Sequence, residues 1–183
     1  MDYYNKTGNQ INITKMEYTI RNMQETDASS VMSIYNYYTE NDFAAYFDQA
    51  LPIQAFGQFQ EMSRNYPAFV VCDENQEVIG FAFLHAYHPA STFQRTAEVT
   101  YFIHRKHVGK GLGKLMLDKL IIEAIKTGVD NIIANISSWN AGSLAFHKKY
   151  GFHECGRLPS VGKKFGQDFD IVYMQLAIEN NLR

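Results

Sequence analysis

The sequence predicts an α/β (α+β) fold, a mostly antiparallel mixed sheet of six to seven strands flanked by four helices. Three observations point there. Short runs rich in β-branched and aromatic residues alternate with longer segments whose apolar residues recur at helical spacing. The order is strand, two helices, three strands, then helix, strand, helix and one or two closing strands, which suits helices packed on one sheet. The chain has 183 residues, 46% of them hydrophobic, enough for one domain with a sizeable core.

The elements follow from local signals. Tyr18 to Met23 reads as a first strand. Asp27 is placed to cap a helix from Ala28 to Thr39, with Val31, Ile34, Tyr35 and Tyr38 at helical spacing. Residues 41–51 are irregular and aromatic, and a second helix over 53–65 ends before Pro67. Ala68 to Asp73 and Val78 to Tyr87 form an antiparallel pair joined by the turn-prone Asp73-Glu74-Asn75-Gln76. Thr96 to Ile103 is the next strand. Leu112 to Lys126 is a long helix closed by Gly128. Asn131 to Ser137 is an apolar strand, and Ala141 to Tyr150 a short helix with Asn140 at its N-cap. Ile171 to Leu176 is the last strand, with Phe152 to Arg157 a candidate seventh.

Composition narrows the function classes. The formal net charge is −2, so no bulk attraction to nucleic acid is expected, and only His104 to His107 with Lys110 and Lys114 form a basic cluster. Two widely separated cysteines, Cys72 and Cys155, read as reduced thiols of a cytoplasmic protein. No apolar run is long enough to cross a bilayer. Six histidines without paired ligand spacing give no case for a metal. Residues 1–15 are polar and Asn-rich and read as a flexible extension, or as preceding a natural start at Met16; residues 16–178 form the single domain.

The most informative stretch is Val108-Gly109-Lys110-Gly111-Leu112-Gly113-Lys114, between the strand ending at Ile103 and the long helix. Glycines there expose backbone N–H groups at a helix N-terminus, a seat for phosphate. The plainer reading is a tight strand-to-helix connection. The Walker A pattern fails, because Gly113 is followed by Lys114-Leu115. The dinucleotide pattern fails as well, since the spacing is G-x-G-x-G and lies past the middle of the chain.

The turn resembles the Q/R-x-x-G-x-G/A pattern of the GNAT N-acetyltransferase superfamily, with Val108 at the Gln/Arg position, and the likeness runs from about Tyr18 to Leu176. It implies that Gly109, Lys110, Gly111, Leu112, Gly113 and Lys114 cradle the pyrophosphate of acetyl-coenzyme A. It further implies that the backbone of Tyr101, Phe102 and Ile103 pairs with the pantetheine arm. Lys110 or Lys114 can replace part of the charge missing at Val108. Further segments resemble the phosphinothricin N-acetyltransferase branch: Asp27-Ala28 with Ile34-Tyr35-Asn36, then Thr96 to Ile103. Asn140, Ser143, His147 and Gly151-Phe152 match a helix of that branch. Gly156-Arg157-Leu158-Pro159, Val161-Gly162, Lys164-Phe165-Gly166, Asp170 and Met174 match its C-terminal segment. Three positions depart. The branch's Arg and Tyr ahead of the strand Glu fall at Ala90 and Phe93, and its Trp after the Lys-x-Gly turn falls at Asp168. Arg95 is the candidate replacement cation.

Site residues follow. Glu98, a carboxylate inside a strand of good β-formers, reads by itself as an exposed strand residue. With the resemblance it is the candidate general base toward the acceptor ammonium. His147 by itself reads as a surface or packing residue; the resemblance makes it a catalytic candidate, orienting substrate or taking part in proton transfer. Asn140 is an N-cap, and by resemblance also a partner of the pantetheine amide, with Ser143 beside it. The aromatic cluster Tyr35, Tyr38, Phe43, Tyr46 and Phe47 reads as core or interface; Tyr35, Phe47 and Phe93 are assigned to the acceptor wall. The implied activity is acetyl transfer from acetyl-coenzyme A to a small amino-acid-like acceptor of the phosphinothricin, methionine sulfoximine or sulfone type. The implied assembly is a homodimer. Alternatives are another amine acceptor (a polyamine, an aminoglycoside or a protein amine), a non-catalytic acyl-coenzyme A-binding module, and a nucleotide-binding protein using the same glycine turn.

Overall fold

A computed structural model describes residues 18–178; the expected extension over residues 1–15 lies outside the described residues. The strands are β1 (Thr19–Asn22), β2 (Ala68–Cys72), β3 (Val78–Ala86), β4 (Thr96–Ile103), β5 (Asn131–Ser137), β6 (His153–Lys164) and β7 (Gln167–Ala177). The helices are α1 (Ala28–Asn41), α2 (Phe56–Met62), α3 (Leu112–Lys126) and α4 (Ala141–Lys149). One sheet has the order β1-β2-β3-β4-β5-β7-β6. Neighbours are antiparallel except β4 and β5, which are parallel over three pairs, Thr96↔Asn131 to Glu98↔Ile133. Past that point β4 stays paired with β3 to Ile103, and β5 with β7 to Ser137. The sheet therefore splits into two wings just beyond Glu98.

Both faces of the sheet are covered, so its central strands are apolar on both sides. Phe69, Val71, Leu84, Ala97 and Ile132 pack under Leu112, Met116, Leu117 and Leu120 of α3. Val70, Phe81 and Phe83 face Val31, Ile34 and Tyr35 of α1 and Phe56 and Phe59 of α2. Period-2 alternation along β4 sends Glu98, Thr100 and Phe102 toward α1, and Ala97, Val99 and Tyr101 toward α3.

Several boundaries differ from expectation. The second helix is shorter: a 3-10 turn over Ile53–Ala55 precedes α2, which stops at Met62. The Ser63 hydroxyl donates to the Phe59 carbonyl at 2.8 Å and closes the helix there. The largest miss is β6, expected to end at Arg157 and running to Lys164. It is an edge strand exposed almost throughout, with register shifts at Glu154/Gly156 and Leu158/Gly162, so no apolar alternation marked it. Asp27 precedes α1 as expected, but its carboxylate does not cap that helix. It takes both arms of Arg21 at 2.7 and 2.8 Å and the Gln24 amide at 2.8 Å, tying β1 to the preceding 3-10 turn.

Burial by itself would raise the Asp27 pKa, but the Arg21 and Gln24 bonds outweigh it and the net shift is downward. A lowered carboxylate contributes its full stability above the unfolded value of 3.8 and loses it as pH falls through the lower folded value. Asp27→Asn is expected to cost about 1–2 kcal/mol at neutral pH. In urea titrations it should also flatten the loss of stability below pH 4.

Candidate active site

The turn between β4 and α3 builds the first half of the site. Gly109 and Gly111 have φ of +80° and +85°, a left-handed conformation that glycine adopts without steric cost. A Cβ at either would point into open space, so the turn presents bare backbone at the start of a 15-residue helix. Gly111 is the N-cap and makes no side-chain cap bond, which leaves the first-turn amides of α3 to an external acceptor. Gly113 answers a different need. A Cβ there would lie 2.9 Å from the Phe146 ring, so its hydrogen lets α4 close on α3. Lys114 is engaged with Asp118 one turn on, while the basic 3-10 turn ahead carries His107, whose Nδ1 is buried without a hydrogen-bond partner. Exposed amides, positive helix end and an unsatisfied ring nitrogen fit a pyrophosphate.

The opening between β4 and β5 supplies the second half. Alternate residues past Glu98 turn their N–H and C=O groups away from β3 and toward the gap, where no β5 ladder meets them among the described residues. The carbonyl of Ile103 at the far end accepts the Tyr38 hydroxyl at 2.6 Å, with capacity for one further bond.

Glu98 sits on the last rung before the gap, half-buried, on the face turned toward α1. A row of polar side chains crosses that otherwise apolar face. His85 of β3 stands directly opposite Glu98, Asn135 of β5 donates its carboxamide to the Glu98 carboxylate, and Tyr173 of β7 is opposite Asn135. Burial pushes the Glu98 carboxyl above the usual carboxylate range and the His85 imidazole below its usual value. Tyr46, 41% exposed, lies on the same side of the sheet, against Phe169 of β7. Burial raises its hydroxyl pKa, and the charge of Glu98 and the hydroxyls of Tyr173 and Tyr35 add to the shift. Tyr46 therefore keeps its hydroxyl proton. Its ring stacks on Phe169 at 5.9 Å, and Phe43 continues the wall toward Trp139 and Phe165. Gly162 makes room for this wall, since a Cβ there would overlap the Phe169 ring.

His147 lies on the other face. It is 3% exposed, and its Nδ1 donates to the Ser143 carbonyl at 2.8 Å, with the Ser143 hydroxyl at 3.2 Å. Nε2 then accepts the Tyr101 hydroxyl at 2.6 Å. Glu98 and Tyr101 are three residues apart on one strand, so their side chains leave by opposite faces. Glu98 and His147 are thus separated by β4 and share no contact. Asn140 does cap α4, its Oδ1 accepting the Ser143 amide at 3.0 Å.

The expected acceptor residues divide. Tyr35 is a core ring wedged between Phe59 and Phe102 at 5.1 Å each. Phe47 is 52% exposed, and Phe93 packs on Tyr87 and His88. Arg95 is bound to Asp130 through two bonds of 2.7 and 2.6 Å, so it is not a spare cation for an acceptor. Trp139 donates its indole N–H to the Asp168 carbonyl at 2.9 Å. Asn135, Tyr173 and the role of Tyr46 were not read from the sequence. Only alternation in β5 and β7 marks the first two, and it does so only once the strands' faces are known.

Comparison with known proteins decides the family. The Acetyltransferase (GNAT) family matches residues 31–152. The chain belongs to the GNAT acetyltransferases. The L-methionine sulfoximine/L-methionine sulfone acetyltransferase of Salmonella typhimurium is 32% identical over 165 residues, covering 89% of this chain and 96% of that protein. The L-amino acid N-acyltransferase MnaT of Escherichia coli is 32% identical over 164 residues, covering 88% and 94%. The GNAT phosphinothricin acetyltransferase of Sinorhizobium meliloti, solved in complex with AcCoA, superposes with a TM-score of 0.84 at 28% identity over 89% of each chain. The GNAT fold expected from the glycine turn and the branch motifs is the fold observed. Among the described residues no cluster of three or more His, Cys, Asp or Glu is placed to hold a metal ion, and no helix is long and apolar enough to cross a membrane.

Burial lowers the His147 pKa to about 4, partly opposed by the bond to the Ser143 carbonyl. The unfolded chain binds that proton near 6.5, so the folded protein loses stability as pH falls from 6.5 toward 4. In a two-dimensional NMR titration the His147 ring signals should stay in the neutral form through pH 5.5. A midpoint near 6.5 would contradict the buried geometry.

Proposed function

We propose that this GNAT protein moves an acetyl group from acetyl-coenzyme A to the primary amine of a small amino-acid-like acceptor, of the methionine sulfone, methionine sulfoximine or phosphinothricin type. The observation that carries the reading is the position of Glu98, a half-buried carboxylate at the last shared rung of two parting strands. The β4–α3 turn, with Gly109, Lys110, Gly111 and Leu112, would hold the pyrophosphate, and the open edge of Tyr101 to Ile103 the pantetheine arm. When bound, acetyl-coenzyme A supplies a thioester carbon open to attack by a neutral amine.

The chain's own part is positioning and proton removal. An acceptor ammonium is unreactive until deprotonated, and Glu98 accepts that proton directly or through one water. Its raised pKa brings it closer to the working range than an exposed carboxylate would be. The Asn135 carboxamide holds it in one orientation. Tyr46, Tyr173 and the aromatic wall of Phe43, Phe169 and Trp139 shape the space for the acceptor. His147, neutral and buried, supports the active site by fixing the Tyr101 side chain from behind β4.

The experiment is thiol release from acetyl-coenzyme A over a panel of methionine sulfone, phosphinothricin, a polyamine and an aminoglycoside, with wild type and Glu98→Gln. The expected outcome is turnover of the sulfone and a kcat roughly 10²–10⁴-fold lower in the variant, with unchanged acetyl-coenzyme A binding. The acidic limb of kcat/KM should lie above pH 4.5, the ordinary carboxylate value, because burial raises Glu98. A Glu98→Gln rate within twofold of wild type overturns the base assignment.

A homodimer in the cytoplasm completes the proposal. The edge strand β6 carries exposed Leu158 and Val161, with Phe165 exposed at its tip, and both Cys72 and Cys155 are free thiols. Sedimentation equilibrium should give twice the chain mass at micromolar concentration, and a monomer there would sink this assembly.

A further inference from the structure

Lys164 ends β6, yet its side chain is 2% exposed. The Nζ donates to three main-chain carbonyls: Asp42 at 2.6 Å, Ala45 at 2.7 Å and Tyr38 at 3.3 Å. An ammonium has three N–H donors, and all three are used. Tyr38 is in the last turn of α1, where its carbonyl also accepts the Asp42 amide at 3.1 Å, so the cation sits at the negative end of the helix dipole. Asp42 and Ala45 belong to the irregular segment that follows. The far end of that segment is tied separately, by paired bonds of 2.8 and 2.9 Å between the Asn36 carboxamide and the Leu51 backbone. Between the two ties lies Tyr46, next in sequence to the Ala45 carbonyl that Lys164 holds.

The hairpin that delivers Lys164 is itself constrained. Phe165 has φ of +50°, a conformation disfavoured for a bulky residue, followed by Gly166 at +76°. In that conformation the Phe165 ring meets Phe43 of the same segment at 5.5 Å and lies 4.9 Å from the Lys164 ammonium. Backbone cage and ring contact both act on residues 42–46.

We propose that Lys164 is a positioning residue for the acceptor: by caging the carbonyls of Tyr38, Asp42 and Ala45 it sets where Phe43 and Tyr46 stand against Phe169 on the Glu98 side of the sheet. This rests on the reading of Glu98 as the base beside the acceptor amine. Lys164→Met keeps an unbranched apolar stem and removes the donors, so the Asp42 and Ala45 carbonyls lose the bonds Lys164 gives them, while the Tyr38 carbonyl retains the Asp42 amide. Trp139, the single tryptophan, sits 5.9 Å from Phe43 and reports on the segment by fluorescence.

The test is steady-state kinetics of Lys164→Met with methionine sulfone, beside calorimetry with acetyl-coenzyme A and the Trp139 emission spectrum. The acceptor KM should rise roughly tenfold or more, with kcat changed by less than about threefold and acetyl-coenzyme A affinity unaltered. Trp139 emission should shift. A folded variant with lowered Tm but wild-type acceptor KM and emission overturns the proposal. If the Met variant does not fold, Lys164→Gln, shorter, uncharged and with two N–H donors, should raise the acceptor KM in the same direction by a smaller factor, and a wild-type KM and emission in it overturn the proposal. If Glu98→Gln keeps full activity while Lys164→Met still moves the Trp139 emission, the base assignment falls and the hold on the segment stands.

Discussion

β4 and β5 run side by side for three residue pairs and then part, although each keeps its other neighbour to its last residue. On one side of the sheet α3 packs Leu112, Met116 and Leu117 into the core. A strand edge inside a domain is costly unless something pairs with it. A glycine turn placed at the mouth of that edge and a carboxylate at its root then lie along one line. Both the proposed phosphate seat and the proposed base take their positions from where a short parallel ladder stops.

The polar row on the α1 face shows what that placement demands. His85, Glu98, Asn135 and Tyr173 interrupt a surface built otherwise from Phe81, Phe83 and Phe102. Burial works against the charged form of Glu98, and the Asn135 carboxamide works for it. The carboxylate therefore stays ionisable without being locked in an ion pair, as a group that must gain and release a proton requires. Tyr46 reaches Phe169 on this side of the sheet from a segment without regular structure, so its place depends on ties made by residues far away in sequence.

The central elements were legible because their signals are local. The helix α3 ends near its glycine, β2 and β3 flank a turn-prone tetrad, and Asn140 caps α4 as its side-chain chemistry suggests. Glycines at Gly109 and Gly111 could be read as bare backbone, but Gly113 is explained only by a ring from another helix. β6 was cut short since an edge strand exposed on both faces carries no alternation. Of the site, Glu98 stood out as a charge among β-formers. Asn135 and Tyr173 did not, because which face of β5 and β7 meets Glu98 is a property of the sheet order. Phe93 and Arg95, proposed for the acceptor, are taken up by neighbours no periodicity indicates: His88 and Asp130.

The two sides of β4 have separate work. Side chains facing α1 surround the proposed acceptor, while those facing α3 form the Tyr101–His147 strut and the packing beneath the glycine turn. A substitution at Asn135, Tyr173 or Tyr46 has no direct route to the coenzyme's seat, and one at Phe146 or Ser143 none to the polar row. On the proposed assignment of the two faces, selectivity in a duplicated copy of this gene can drift on one side of a single strand while the packing beneath the glycine turn is preserved on the other.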